Sequence, residues 1–316
     1  MSDLTNPIFT EEYKAFEYLE SVRWPKGPIC PHCGSVDNLT RLNGETTRLG
    51  LHQCNNCRGH FTVTVGTLYE RSHIPVHKWL LATHLMCASK KGISSLQLSR
   101  MLGITYKSAW FMTHRIRESM VTKPTGPLGS GGGTVEADET YWGTSPRSKK
   151  AQAIKKSGRK VSGSDKQKIV SLVERSGEVR SFHVAKVNGK TLKSVLLGNI
   201  AKDAHLMTDD YSGYRKIAKN FASHGAVNHS EREYVRGNIH SNTVEGYFSI
   251  LKRGLIGTFH HVGAQHLQRY VDEFDFRYNT RTALGYTDAQ RAEIALKGIG
   301  GKRLTYRRIE SAQAAN

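Results

Sequence analysis

Two closely spaced cysteine pairs constrain the N-terminal part of this 316-residue chain more than any other feature. Cys30 and Cys33 form one Cys-x-x-Cys pair, and Cys54 and Cys57 form a second pair after a gap of about 20 residues, a spacing typical of a zinc ribbon. A disulfide interpretation is weak because nothing indicates an oxidising compartment, and a redox motif would not explain two copies. We therefore predict a structural Zn²⁺ ion bound by these four thiolates.

The chain is strongly basic. It carries 46 Lys and Arg against 27 Asp and Glu, which gives a formal net charge of +19. This excess favours a polyanionic partner, above all nucleic acid, because binding neutralises phosphates and releases counterions. A basic protein without such a partner is the alternative. No apolar run approaches the roughly 18 residues of a membrane span, and the N-terminus is acidic and amphipathic rather than signal-like, so we expect a cytoplasmic protein with no membrane partner.

A helix-turn-helix pattern follows the cysteines. After an apolar helix that begins near His77, residues 94–101 and 105–120 predict two helices, and Gly103 in the turn 102–104 between them can adopt the positive φ of a tight turn. The second helix would bury its apolar face and leave Lys107, Arg115 and Arg117 pointing outward, as a helix that contacts a DNA groove requires. An ordinary helical hairpin is the alternative.

A glycine- and proline-rich stretch, residues 123–133, marks the clearest domain boundary. Beyond it, strands predicted at 134–143, 168–174 and 179–187 precede alternating strands and helices, which indicates a mixed α/β sheet. The predicted organisation is a zinc ribbon with an N-terminal helix (1–70), a helix-turn-helix region (71–122), a linker (123–133), an α/β domain (134–295) and a basic, flexible tail (296–316).

A basic stretch separates the first two strands of the α/β domain. Residues 146–161 contain seven Lys and Arg and no acid, and the pattern predicts a mobile hairpin. Lys155, Lys156 and Lys160 are its candidate contacts to DNA phosphates. A solvated loop without a binding role is the alternative.

Three acids of the α/β domain are candidate ligands for divalent cations. Asp138 lies in the first strand of the α/β domain, Asp209 directly follows a short buried strand, and Glu245 lies near the start of a helix. Lys252, almost two turns after Glu245, faces the same way. Two aspartates on adjacent strands and a glutamate on the following helix can converge on two Mg²⁺ ions, an arrangement suited to in-line transfer at a phosphodiester. Each acid taken singly would more often be a solvated or salt-bridged residue.

At these residues the chain resembles the DDE transposases of bacterial insertion sequences, in the group with a zinc ribbon ahead of a ribonuclease-H-like catalytic domain. The segments that carry the resemblance are 135–143 (VEADETYWG), 208–214 (TDDYSGY), 240–254 (HSNTVEGYFSILKRG) and 273–281 (EFDFRYNTR). The resemblance implies that Asp138, Asp209 and Glu245 bind catalytic Mg²⁺ or Mn²⁺, with Lys252 as their basic partner. It also implies a nucleoid-associated homo-oligomer that binds element ends and target double-stranded DNA and that cleaves and joins strands.

Two residues and two functions compete with this assignment. Asp210 adjoins Asp209, and Asn242 precedes Glu245 by one turn in a group where some members use an amide as the third ligand. We prefer Asp209 because it directly follows the strand, and Glu245 because a carboxylate binds Mg²⁺ more strongly than an amide. The competing functions are a nuclease of the same fold that does not join strands, and a DNA-binding protein with a decayed catalytic domain.

Overall fold

The computed structural model describes residues 4–143, 149–158, 166–175, 177–228, 231, 233 and 235–305. The chain divides into two compact units, one formed by Met1–Thr122 with Gly285–Asn316 and the other by Lys123–Leu284. In the described ranges, no helix is both long enough and apolar enough to cross a membrane.

The first unit begins with a small sheet among helices. Its first elements are α1 (Glu12–Arg23), β1 (Leu39–Arg41), β2 (His52–Cys54), β3 (His60–Phe61), α2 (Val76–Ala88), α3 (Ser95–Leu102) and α4 (Tyr106–Met120). The strands pair antiparallel in the order β1-β2-β3. The third strand ends at Phe61, where the chain turns and the Val65 N–H donates to the Thr62 carbonyl.

Helices α3 and α4 form the predicted helix, turn and helix. The side chains of Ser94 and Thr105 cap the two N-termini by accepting backbone N–H groups from the first turns, which fixes where each helix begins. Gly103 has a φ of 61° between the helices, a left-handed conformation that glycine adopts without strain. The buried apolar side chains of the pair are Leu98, Leu102, Ala109, Met112 and Ile116.

The second unit is built on a five-stranded mixed sheet. Its elements are β4 (Thr134–Trp142), α5 (Lys149–Lys156), β5 (Gln167–Glu174), β6 (Val179–Val184), α6 (Gly189–Asn199), β7 (His205–Asp209), α7 (Ser212–Arg215), β8 (Ser223–Val227), β9 (Val235–Arg236), β10 (Ile239–His240), α8 (Asn242–Gly254) and α9 (Leu267–Asn279). The strand order is β6-β5-β4-β7-β8; β4, β5 and β6 pair antiparallel, whereas β7 and β8 extend the sheet in parallel. The predicted mixed α/β class is therefore confirmed, although the β9–β10 hairpin was not predicted.

Helices cover both faces of this sheet. Val135 and Ala137 of β4 pack into a core with α6 and α7. Ile169 and Val173 of β5 pack into a second core with α8 and α9. Because side chains alternate along a strand, Glu136 and Asp138 of β4 lie on the side of α8 and α9.

The glycine- and proline-rich segment differs from the predicted linker. Leu128 is buried in the core on the α6 side. Its N–H donates to the Asn199 carbonyl at 2.8 Å, and its own carbonyl accepts the Ala201 N–H at 2.9 Å. The second half of the predicted linker over 123–133 is thus packed against the second unit, because one apolar side chain among the glycines joins its core.

The C-terminal helix α10 (Asp288–Lys297) belongs to the first unit, so the prediction that the α/β domain extends to residue 295 is wrong. Arg291 of this helix donates to the Cys87 carbonyl of α2 at 3.0 Å. Ile299 is completely buried, and Gly300 forms a β-bridge with Thr67. The predicted flexible tail therefore begins with packed residues, and its last part, 306–316, lies outside the described residues.

The basic stretch contains a helix where the sequence predicts a hairpin. Helix α5 spans Lys149–Lys156, and its alanines, glutamine and lysines are good helix formers. Ile154 is buried, whereas Lys155 and Lys156 are exposed. Lys160 lies outside the described residues.

Candidate active site and zinc centre

The first two predicted acids lie on neighbouring parallel strands. β4 and β7 pair in register from Thr134 with His205 to Glu136 with Met207. Continuing that register sets Asp138 level with Asp209, the last residue of β7. Both side chains lie at the carboxyl end of β7, the edge where parallel α/β sheets bind their ligands.

Asp138 lies among other acids. Burial raises the pKa of Asp138 to about 8, and the charges of Asp209, Glu139 and Glu245 raise it too, although the Glu139 N–H donates to its carboxylate at 2.7 Å and opposes this shift. The three predicted acids therefore belong to one electrostatic cluster. We call Asp138, Asp209 and Glu245 the acid cluster.

The third acid lies in the first turn of α8. Glu245 is exposed, and the Ser241 hydroxyl donates to its carboxylate at 3.3 Å. The competing residue Asn242 is exposed at the first position of the same helix. Lys252 is exposed in the last turn, about 10 Å further along the helix axis at 1.5 Å per residue.

The two adjacent aspartates have different surroundings. Asp209 is half-buried and accepts the Tyr211 N–H at 3.1 Å. Asp210 is exposed and forms an ion pair with Arg215 at 3.2 Å. The charge of Asp209 is among those that raise the pKa of Asp138.

A residue that the sequence analysis did not single out, Glu136, connects β4 to α8. Its carboxylate is completely buried and accepts the N–H groups of Thr243 at 2.8 Å and Val244 at 3.0 Å. The Thr243 hydroxyl and the Arg175 guanidinium donate to its other oxygen at 2.9 and 2.7 Å. No local pattern could predict these contacts, because the partners on α8 are 107 and 108 residues away in the chain.

The other neighbour of Asp138 also has a fixed partner. Glu139 accepts a hydrogen bond from the Tyr214 hydroxyl at 2.8 Å. Burial raises the pKa of Glu139, and the charge of Asp209 raises it as well. Glu136 and Glu139 are thus engaged by other side chains, whereas Asp138 accepts a hydrogen bond from the backbone of its neighbour.

The acid cluster suits hard divalent cations, which bind oxygen ligands. Burial and repulsion by neighbouring acids disfavour the ionised form of Asp138, and a bound cation would stabilise that form. Within the described part of the chain, one group of potential ligands has all its ligand atoms within 4.8 Å of one another, and that group is the four cysteines. The three carboxylates are therefore spread more widely than the ligands of a closed single-ion site.

The four predicted cysteines do form such a closed site. The sulfur atoms of Cys30 and Cys57 lie 3.7 Å apart, and those of Cys33 and Cys54 lie 3.6 Å apart. A regular tetrahedron of Zn–S bonds separates its sulfurs by about 3.8 Å, so the cluster fits Zn²⁺. Backbone N–H groups, foremost that of Cys57, lower the pKa of Cys54 to about 7. The pKa of Cys33 is raised to about 12 despite a backbone hydrogen bond at Ser35, because burial and the other three thiols disfavour its thiolate, so a cation is needed for all four sulfurs to ionise.

The predicted DNA-contacting side chains of α4 are not all on its surface. Lys107 is exposed in the first turn. Arg115 is half-buried, stacks on the Phe111 ring at 4.5 Å and donates to the Glu70 carbonyl, and Arg117 is completely buried. The prediction that Arg115 and Arg117 point outward is wrong, because Arg115 lies against Phe111 and Glu70 and Arg117 lies in the interior of the first unit, where α4 packs against α2, α3 and α10.

Comparisons with known proteins agree with this architecture. Residues 131–279 match the family described as the ISXO2-like transposase domain, and residues 10–60 match the transposase zinc-ribbon domain, so that together they cover more than half of the chain. The chain therefore carries one segment that matches a transposase domain and another that matches a transposase zinc ribbon. It is also similar to an uncharacterized protein in transposable element ISH50 of Halobacterium salinarum, with 26% identity over 277 residues, which are 85% of this chain and 91% of that protein.

Proposed function

We propose that this transposase binds the ends of a mobile DNA element and cleaves and joins DNA strands at the acid cluster, with two Mg²⁺ or Mn²⁺ ions. The observation that carries the proposal is that Asp138 and Asp209 lie level on two paired parallel strands, while the charge of Glu245 on α8 contributes to raising the pKa of Asp138. Three antiparallel strands followed by two parallel ones support a ribonuclease-H-like assignment for the sheet.

The chemistry has two steps at phosphorus. Water first attacks the phosphodiester at the element end, the P–O bond to the 3′ oxygen breaks, and that oxygen leaves as a 3′ hydroxyl. The 3′ hydroxyl then loses its proton, attacks a phosphodiester of the target and displaces the target's own 3′ oxygen. The divalent ions, when bound, activate the attacking oxygen and stabilise the leaving one. Asp138, Asp209 and Glu245 would hold them, and Lys252 would bind the DNA phosphate nearby.

The decisive experiment uses the DNA that flanks the protein's own gene. The protein is incubated with that DNA and Mg²⁺, and the nicks are mapped at single-nucleotide resolution. Nicks at inverted repeats, followed by joining to a second plasmid, would establish transposition. Cleavage without joining would instead favour the non-transposing nuclease, and binding without cleavage would favour the decayed enzyme.

For DNA recognition, the exposed start of α4 is our proposed reading surface. Lys107→Ala should weaken binding to element ends about tenfold more than binding to random DNA, as expected for loss of a base or groove contact. The measurement is a pair of titrations by fluorescence anisotropy at one fixed salt concentration.

Arg115→Ala serves as the matched control for Lys107→Ala. Because Arg115 stacks within the first unit, its loss should lower thermal stability, and any loss of binding should affect both DNAs equally. Equal losses on both DNAs for Lys107→Ala itself would remove its assignment as a reader.

Other basic residues are proposed to bind phosphates without regard to sequence. Lys155 and Lys156 are exposed on α5, and their loss should weaken binding to both DNAs and reduce its salt dependence. We also propose that the protein acts as a homo-oligomer, since two element ends must be joined to one target.

A further inference from the structure

We propose that Glu136 is a positioning residue, which holds the N-terminus of the helix carrying Glu245 at the acid cluster and thereby strengthens divalent-cation binding without itself being a ligand. This inference rests on the proposed function of that cluster. The starting observation is the N-terminus of α8, which its own N-cap side chain does not cap.

Helix α8 lacks the usual capping bond. Its N-cap residue, Ser241, makes no side-chain hydrogen bond to the N–H groups of the first turn. The Ser241 hydroxyl instead donates to the carboxylate of Glu245. Those N–H groups need a partner, because a helix N-terminus leaves several donors unsatisfied and carries a partial positive charge.

Glu136 supplies that partner from the neighbouring strand. One of its oxygens accepts the N–H groups of Thr243 and Val244, and the other accepts the Thr243 hydroxyl. A carboxylate at this place satisfies the donors and is favoured by the helix dipole. Since Glu136 is two residues before Asp138 on β4, the same short piece of strand fixes both the first acid and the start of the helix that bears the third.

Arg175 completes the arrangement. Its guanidinium donates to Glu136 at 2.7 Å, to the Asn238 carbonyl at 2.9 Å and to the His240 carbonyl at 3.0 Å. The chain that leads into α8 is thereby tied to the same carboxylate. His240 also places a ring nitrogen 3.2 Å from Glu136. With both oxygens engaged and no exposed surface, Glu136 is a partner of protein groups rather than of a cation.

The consequence is a specific dependence of metal binding on this contact. Glu136→Gln keeps the size of the side chain but replaces one accepting oxygen with an NH2 group that faces donors. The start of α8 should then shift, and Glu245 with it. We expect the affinity for Mn²⁺ to fall about 10- to 100-fold, the range seen when residues that orient metal ligands are removed.

Because Glu136→Gln could misfold, a milder pair of variants at Thr243 tests the same contact. Thr243→Val removes the hydroxyl that donates to Glu136 and keeps the shape of the side chain, whereas Thr243→Ser keeps the hydroxyl. Thr243→Val should lower Mn²⁺ affinity in the same direction as Glu136→Gln but by less. Thr243→Ser should restore it to nearly the wild-type value.

The measurement is the free Mn²⁺ signal in electron paramagnetic resonance, titrated with the full-length, zinc-loaded protein and compared with melting temperatures. Asn188→Ala is the matched control, because it removes the N-cap of α6, another helix of the same unit, where Asn188 accepts the Thr191 N–H at 2.9 Å. It should lower the melting temperature and leave Mn²⁺ affinity unchanged.

The outcomes separate this inference from the proposed function. If Glu136→Gln and Thr243→Val lowered the melting temperature but bound Mn²⁺ like the wild type, the positioning role would be overturned and the contact would be purely structural. If the wild type bound no Mn²⁺, or Asp138→Asn bound it equally well, the acid cluster would not be a cation site and both proposals would fail.

Discussion

Replacing Asp138 with Asn, Asp209 with Asn or Glu245 with Gln should each abolish strand cleavage and joining, with a loss of about 10³-fold or more in rate. Each change replaces a carboxylate oxygen with an amide nitrogen, which does not bind a hard cation. The losses should not add in double variants, because the three residues act as one cage. The assay is cleavage of end-containing DNA with Mg²⁺ in single-turnover conditions.

Folding and DNA binding should survive these changes. The pKa of Asp138 is raised by burial and by neighbouring acids, so a neutral amide at this position relieves repulsion rather than breaking an ion pair. Removing a negative charge from a protein with a net charge of +19 does not weaken its attraction to phosphate. We therefore expect wild-type affinity in binding titrations and a melting temperature no lower than that of the wild type.

The chain offers two matched comparisons for this prediction. Asp210→Asn removes the adjacent carboxylate, which is exposed and paired with Arg215, and should retain appreciable activity. Lys252→Ala should reduce cleavage less completely than the acid variants, since a lysine positions DNA without binding metal. A fully active Glu245→Gln beside an inactive Asn242→Ala would show that the third ligand is the amide.

The sequence predicted best those features whose causes are local. The bounds of α3 and α4 follow from Ser94 and Thr105, which cap their own helices, and from Gly103, which takes the left-handed conformation between them. Cys30, Cys33, Cys54 and Cys57 likewise predict their cluster, because each Cys-x-x-Cys pair fixes two ligands within one turn of chain. In both cases the residues that decide the structure are neighbours in the chain.

The features that the sequence did not predict have distant causes. Arg117 is completely buried in a helix that packs against α2, α3 and α10, and α10 follows α4 by some 170 residues, so no pattern around Arg117 indicates its burial. Leu128 stands among glycines and prolines that are typical of a linker, yet it packs beside Ile200. Glu136 looked like an ordinary strand acid, since its partners Thr243 and Val244 lie on a helix much later in the chain.

Removal of a zinc ligand should strongly destabilise the folded structure of the first unit. Purified protein should contain one Zn²⁺ per chain, and Cys54→Ser should lose it. The three strands around the cysteines are only two or three residues long and bury little apolar surface, so their stability depends on the metal. Structural zinc sites of this kind contribute roughly 10–16 kcal/mol, which is as large as the whole stability of a typical domain, about 5–15 kcal/mol.

The expected result for Cys54→Ser is therefore local unfolding rather than a uniform loss of stability. Amide hydrogen exchange should become fast across residues 30–61, while β4 and β7 in the second unit keep their protection, because those strands have their own core. Cys87→Ala is the matched control: it also removes one cysteine, but Cys87 is buried in α2 outside the cluster and should leave the zinc content at one per chain. The prediction would be contradicted if wild-type protein purified without chelators contained no zinc and its amides in residues 30–61 were still protected from exchange. The ribbon would then fold without metal, and the four thiols would have another role.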